Sequence, residues 1–352
     1  MSENQSRSVV SDYQNRSVVL ARRPVGEVRD EDFRIETEVI RELRPGELLI
    51  EVLWLSLDPY MRPKMNDVES YMPPMELDKV VQGENVGRIL QSRSEKFAVG
   101  DYVTSYTGWQ QYAIASDEAP MLYKVDSAGL PLSVFLGPAG MPGRTGYLGL
   151  TRVGNPKSGE TVVVSAASGA VGSVVGQVAK MIGCRAVGIA GGEAKCRYAV
   201  DELGLDACVD YKAGELAADL EAACPGGIDV YFENVGGEVS RAVAPLLNAG
   251  ARVPICGYIS QYNATDIASV ESPFDVFGAL PTPPEHRFFL VFEWNAEHAE
   301  TTQRLAEWIK SGQLKYRESI AVGLDSAVAA FRGMLRGENF GKQLVKIADQ
   351  PD

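Results

Sequence analysis

The stretch Val162-Val-Val-Ser-Ala-Ala-Ser-Gly-Ala-Val-Gly172, followed directly by Ser173 to Cys184, decides the fold. Three consecutive valines read as a strand buried on both faces, and Ala170 to Ile182 has helical composition with apolar residues on most faces. Between them lies Ala166-x-x-Gly169-x-x-Gly172, a variant of the dinucleotide-binding turn with alanine in place of the first glycine. Gly169 lets backbone approach a pyrophosphate, and Gly172 lets the helix pack on the strand. The helix start supplies N–H groups and a positive dipole end. A lone glycine pattern is a weak signal. The strand before it, the helix after it and a second strand at Arg185 to Ala190 give it the context of a βαβ unit.

The end of that second strand carries the choice of dinucleotide. An Asp or Glu there would grip a ribose 2′-hydroxyl, but the chain reads Gly191-Gly192, with Lys195 and Arg197 just beyond. A missing acid and nearby cations suit a 2′-phosphate, hence NADPH. Glu193 is the competing reading, able to hold a hydroxyl if the loop folds back.

Outward from this centre, 352 residues are enough for two domains. No run of 18 apolar residues occurs, and the start Met-Ser-Glu-Asn-Gln-Ser-Arg-Ser lacks the apolar core of a signal peptide, so a cytoplasmic protein is expected. A net charge of −13 argues against nucleic acid or an anionic membrane surface as partner. The five cysteines lie in the second half without a Cys-x-x-Cys pair, and read as structural thiols.

Residues 1 to 14 are polar and expected to be disordered. From Asn15 the pattern is one of short strands broken by turns: Ser17 to Ala21, Phe33 to Val39, Glu47 to Ser56, Val80 to Leu90, Gly100 to Tyr106, Trp109 to Ile114 and Met121 to Lys124. Such strands predict a β-rich, partly closed barrel. After Leu130 helices enter, and from Glu160 strands alternate with helices, at 161–165, 185–190, 208–209, 227–233, 251–255 and 288–292. That alternation predicts a doubly wound parallel sheet. A helix to Lys310 and strands at Tyr316 to Ala321 and Lys342 to Ile347 close the chain. The expected division is 1–137 with 316–352 as the β-rich domain and 138–315 as the NADPH-binding Rossmann domain. The proline-rich segment Pro273 to Pro284 reads as an exposed loop.

With these features in place, the chain resembles the medium-chain dehydrogenase/reductase superfamily. Four stretches are similar to its zinc-independent prostaglandin, 2-alkenal and curcumin reductase branch: Leu57-Asp-Pro-Tyr-Met-Arg62, Gly140-Met-Pro-Gly-Arg-Thr145, Glu233-Asn-Val-Gly-Gly237 and Asn339-Phe-Gly-Lys342. The resemblance implies a GroES-like first domain, a homodimer, and NADPH-dependent reduction of the carbon–carbon double bond of α,β-unsaturated ketones or aldehydes. A zinc-free quinone or carbonyl reductase, and a non-catalytic NADPH-binding sensor, are the alternatives. Zinc-dependent relatives carry Gly-His-Glu-x-x-Gly, whereas this chain has Gln82-Gly-Glu-Asn-Val-Gly87, with Gly83 in the histidine's place. No metal is expected, since residues 1–176 contain neither Cys nor His.

Site residues carry over one at a time. Tyr262, in the loop after the strand ending at Ile255, matches the family tyrosine beside the nicotinamide, a proton donor or enolate partner. The alternative is a tyrosine bonded to its own loop. Tyr60 matches a tyrosine of the substrate pocket, and Phe288 stands where the family has glycine, so it reshapes that pocket. Met61 reads as core. Arg62 either reaches the cofactor or pairs with Asp58. Cofactor contacts fall to Thr145, Ala167, Gly169, Ala170, Val171, Gly172, Gly191, Lys195, Tyr211, Asn234, Cys256, Tyr258, Ser260 and Asn339.

Overall fold

The computed structural model describes residues 13–68, 72–266 and 270–350. The expected disorder of residues 1–14 falls almost wholly outside them. Contacts divide the chain into two compact units: Met1–Leu136 with Ile320–Arg332 and Leu344–Asp352, and Gly137–Ser319 with Gly333–Gln343.

The first unit holds strands β1 (Gln14–Leu20), β2 (Phe33–Val39), β3 (Glu47–Ser56), β4 (Asn85–Ser92), β5 (Tyr102–Ser105), β6 (Tyr112–Ser116) and β7 (Tyr123–Lys124). Its organiser is β3. One flank pairs with β4 along nearly the whole strand, while the other pairs first with β6 (Glu47↔Ser116 to Glu51↔Tyr112) and then with a late strand that meets Ser56 through Leu344. A ten-residue strand with two partners on one flank bends the sheet toward a barrel. Leu48, Leu49, Ile50, Val52, Leu53 and Leu55 of β3 are all fully buried.

The second unit is built on β8 (Thr161–Ser165), β9 (Arg185–Ala190), β10 (Ala207–Asp210), β11 (Ile228–Phe232), β12 (Leu247–Ile255) and β13 (Glu285–Phe288). All are parallel, in the order β10-β9-β8-β11-β12-β13. This is the doubly wound Rossmann arrangement, with the order reversing beside β8. Val162, Val163 and Val164 are fully buried, as a central strand covered on both faces requires. Strands β14 (Glu318–Val322) and β15 (Lys342–Lys346) join the barrel sheet beyond β3.

Three expectations are corrected. The strand expected at 288–292 lies earlier, because register with β12 (Arg252↔Glu285 to Ile255↔Phe288) ends it at Phe288, and residues 291–297 form a 3-10 turn. The strand expected from Val80 begins at Asn85; Val80 makes only a single bridge to Val19. The segment expected as an exposed loop from Pro273 contains a helix, Pro273–Gly278, capped by Ser272, with Pro273, Val276 and Phe277 buried.

Candidate active site and cofactor cradle

The turn after β8 is shaped by its two ends. Ala166 takes φ +52°, in the left-handed region, which explains why glycine is the usual residue there. Gly172 opens the helix Gly172–Ile182, and a Cβ on it would lie 2.3 Å from the Ala166 carbonyl oxygen. Only glycine brings the helix this close to the strand end. Ala167 N–H donates to the Ile189 carbonyl (3.0 Å) and Gly169 N–H to that of Ala166 (2.9 Å), leaving Ala170 and Val171 half-buried at the helix entrance.

At the end of β9, a Cβ on Gly191 would lie 2.8 Å from the Tyr211 hydroxyl oxygen, so the Tyr211 ring packs on bare backbone. Asp210 fixes this corner by accepting from Gly192 N–H (2.7 Å) and Lys212 N–H (2.9 Å). The Lys195 ammonium donates to the Gly337 carbonyl (2.7 Å), a neutral partner, and burial with Lys212 nearby lowers its pKa. That bond also ties the corner to the segment of Asn339, whose Nδ2 donates to Gly341 (2.7 Å). Glu193, the competing ribose acid, is 82% exposed and faces Arg197 at 3.7 Å.

At the ends of β11 and β12, Asn234 donates from its backbone N–H to Ser165 Oγ and from Nδ2 to the Ser165 carbonyl, both at 2.8 Å. Ser260 donates to the Val235 carbonyl through N–H (3.0 Å) and Oγ (2.6 Å). The Tyr262 hydroxyl accepts from Tyr258 N–H (3.3 Å), with the two rings edge to face at 5.7 Å. A Cβ on Gly257 would lie 2.6 Å from that hydroxyl. The tyrosine thus folds back over its own loop, and accepting this bond does not consume its proton. Cys256 is a half-buried residue whose thiol is pushed up to about 12 by desolvation, with Glu233 adding to the effect.

Thr145 donates to the Met141 carbonyl within its own helix (2.7 Å). Phe288 packs at the margin of the apolar cluster containing Ile255 and Phe277.

In the first unit, Tyr60 presents a buried hydroxyl that faces Tyr106 without making a well-aligned hydrogen bond. Burial, followed by Tyr106 and the carboxylates of Asp58 and Glu84, pushes its pKa well above that of an ordinary phenol. Arg62 is buried and donates to the carbonyl of Gly26 (2.8 Å) and to Asn66 Oδ1 (2.7 Å), so it braces the barrel loops. Met61 is core. Sequence reasoning passed over Lys64, whose ammonium donates to Gln82 Oε1 (2.5 Å) and Tyr106 (3.3 Å). Burial lowers it to about 8. Gly83 has no room for a histidine: a Cβ would lie 2.8 Å from Met61 Cε and 3.1 Å from Trp109 Nε1. Among the described residues no cluster of three or more His, Cys, Asp or Glu could hold a metal ion.

A doubly wound sheet with a glycine-lined strand-end cradle and a β-rich companion unit defines a nucleotide-dependent oxidoreductase. Two family models match, "N-terminal domain of oxidoreductase" over residues 16–124 and "Zinc-binding dehydrogenase" over 170–278. The chain is 43% identical over 337 residues to the NADPH-dependent curcumin reductase of Escherichia coli (strain K12), covering 95% of this chain and 97% of that protein. It is 37% identical over 345 residues to the NADP(+)-dependent 2-alkenal reductase of Nicotiana tabacum, covering 97% and 99%. The crystal structure of CurA in complex with NADPH from Vibrio vulnificus superposes with a TM-score of 0.89 at 45% identity, covering 96% of this chain and all of that one. The chain belongs to the medium-chain dehydrogenase/reductase family, in the branch that holds these reductases.

Proposed function

We propose that this protein is an NADPH-dependent reductase of the carbon–carbon double bond of α,β-unsaturated ketones and aldehydes. The observation that carries the reading is the corner at Gly191. It offers bare backbone under Tyr211, with Lys195 and Lys212 beside it and Glu193 turned to Arg197, a setting for a 2′-phosphate rather than a free hydroxyl. The close approach of Gly172 to Ala166 makes the matching cradle for a pyrophosphate.

NADPH, when bound, supplies a hydride for the β-carbon of the substrate. Lys195 and Tyr211 hold the 2′-phosphate end, and the turn 166–172 faces the pyrophosphate. Asn234, Cys256, Tyr258, Ser260, Thr145 and Asn339 complete the cofactor contacts. Tyr262 is the candidate catalytic residue, donating a hydrogen bond or a proton as the enolate forms, while Tyr60 and Phe288 are the substrate residues. The high pKa of Tyr60 keeps it a donor. The protonated Cys256 is a poor nucleophile toward an electrophilic enone, as a reductase of such compounds needs.

We further propose a homodimer joined along the edge strand β13, and a cytoplasmic location, in keeping with five free thiols. Among the described residues no helix is long and apolar enough to cross a membrane.

The test is NADPH oxidation against straight-chain enals, cyclic enones, aryl enones and quinones, with product analysis. Saturated carbonyl products are expected, with Tyr262→Phe slowed at least tenfold. Allylic alcohols, or turnover confined to quinones, would overturn the substrate reading, and NADH outrunning NADPH would overturn the cofactor reading.

A further inference from the structure

One buried carboxylate lies at the meeting point of three strand ends. Glu233 follows β11 and is fully buried. Its Oε1 accepts from Tyr231 OH (2.9 Å), Val235 N–H (2.8 Å), Gly236 N–H (3.0 Å) and Ser165 Oγ (3.2 Å), and its Oε2 accepts from Ser240 Oγ. These five donors are all neutral. The main chain of Glu233 is engaged as well: its N–H donates to Pro254 (3.0 Å), and its carbonyl accepts from Cys256 N–H (2.9 Å) and Gly257 N–H (3.2 Å). A single residue therefore fastens the end of β8 through Ser165, the turn after β11 through Val235 and Gly236, and the exit of β12 through Cys256 and Gly257.

Leucine would fill the same volume without the desolvation cost of a buried carboxylate. What the carboxylate adds is direction, since it aims two backbone amides and three hydroxyls at one point. Gly236 and Gly237 take φ of +78° and +60°, a turn that the two amide bonds hold in shape. The Ser165 hydroxyl shared with Glu233 is also the acceptor of Asn234 N–H, so the carboxylate sets where the Asn234 side chain emerges. A partly satisfied buried network is worse than none, so loss of one member loosens the others.

We propose that Glu233 is the positioning residue of the cofactor edge. It presets Asn234, the turn 235–237 and the loop 256–262 for NADPH without itself touching the dinucleotide. The inference rests on the NADPH reading above.

The experiment compares wild type, Glu233→Gln and Ser165→Ala by NADPH titration, steady-state kinetics, thermal unfolding and amide exchange of the cofactor-free protein. Gln keeps the shape and one acceptor but weakens charge-assisted bonds. Expected for Glu233→Gln are a tenfold weaker NADPH Kd, a matching rise in KM for NADPH, kcat at saturating NADPH within threefold of wild type, and faster exchange at Val235 and Gly236. A mere loss of folded protein would instead lower kcat with KM unchanged, and that pattern overturns the proposal. Wild-type Kd and KM in Glu233→Gln would do the same. Should that variant fail to fold, Ser165→Ala decides by the same measurements, because it removes the hydroxyl shared by Glu233 and Asn234 N–H while keeping the Ser165 carbonyl's bond to the Asn234 side chain and leaving the carboxylate in place. A wild-type protein that binds no NADPH refutes the functional reading itself. Wild-type binding with unaltered variants refutes this inference alone.

Discussion

Ala166 and Gly172 are coupled by geometry, and the coupling gives opposite expectations for two small substitutions. Gly172→Ala drives a methyl to 2.3 Å from a carbonyl oxygen, so the helix must shift. Overpacking of this kind costs roughly 1–3 kcal/mol, and NADPH affinity should fall with it. Ala166→Gly relieves a left-handed alanine, a gain of about 1–2 kcal/mol that the freer unfolded chain offsets by about 0.4–1. Urea denaturation should show the first variant destabilised and the second equal to or slightly above wild type. The two glycines and the alanine were legible in the sequence because the turn is contiguous. Glu233 and Lys64 were not. Glu233 stands in a quoted motif, but Ser165 and Ser240 meet it from other elements. Lys64 reads as one more surface cation until Gln82 and Tyr106 close over it. For Lys64 the sign is definite. Its folded pKa of about 8 lies below the ordinary 10.5, so the unfolded chain binds the extra proton between those values and stability rises with pH there. Lys64→Met should abolish that part of the slope, read as the wild type minus variant difference in unfolding free energy from pH 8 to 10.5.

At the scale of elements, periodicity found the strands whose burial is one-sided or complete and missed boundaries fixed by pairing. The valines of β8 are fully buried, as their run implies, while β13 slips because its ends are set by Arg252 to Ile255 on the neighbouring strand. The helix Pro273–Gly278 was hidden by the prolines of the whole segment 273–284, which read as loop composition. Its signal was local all the same: Ser272 followed by Asp275, with proline at the first helical position. Ser272 Oγ accepts from Asp275 N–H (3.3 Å), and Asp275 Oδ2 accepts from Ser272 N–H (2.8 Å). The helix inserts Phe277 beside Tyr231, whose hydroxyl donates to Glu233. Ser272→Ala should therefore cost about 1 kcal/mol of stability by chemical denaturation. A variant as stable as wild type would show that packing of Val276 and Phe277 alone holds the helix.

For the whole molecule, the buried titratable groups combine into a stability profile with two limbs. On the acid side, burial, with Arg144 adding to it, pushes His298 down to about 4 from the ordinary 6.5. The unfolded chain binds that proton between 6.5 and 4 while the folded chain does not, so stability falls as pH drops through this window. Carboxylates held low by their partners act in the same sense further down, Glu47 beside Arg41 at about 2 among them. On the alkaline side, desolvation raises Cys224 to about 11 and Cys256 to about 12, against an ordinary value of 9. There the folded chain keeps protons the unfolded chain has lost, so stability falls as pH climbs beyond 9. Tyr60 and Tyr231, both raised well above 10, extend the decline. Lys64, between 8 and 10.5, and Lys195, also held below an ordinary lysine, oppose it, while Cys184, Tyr112, Tyr198 and Tyr316, raised as well, add to the fall. The expected outcome is a plateau from about pH 6.5 to 8, a small rise from Lys64 toward 9, and a fall on each side of that range, measurable as Tm across pH 4 to 11. His298→Gln should flatten the acid limb between 6.5 and 4 and leave the alkaline limb as it was. An acid limb unchanged in that variant would assign the fall to the carboxylates instead.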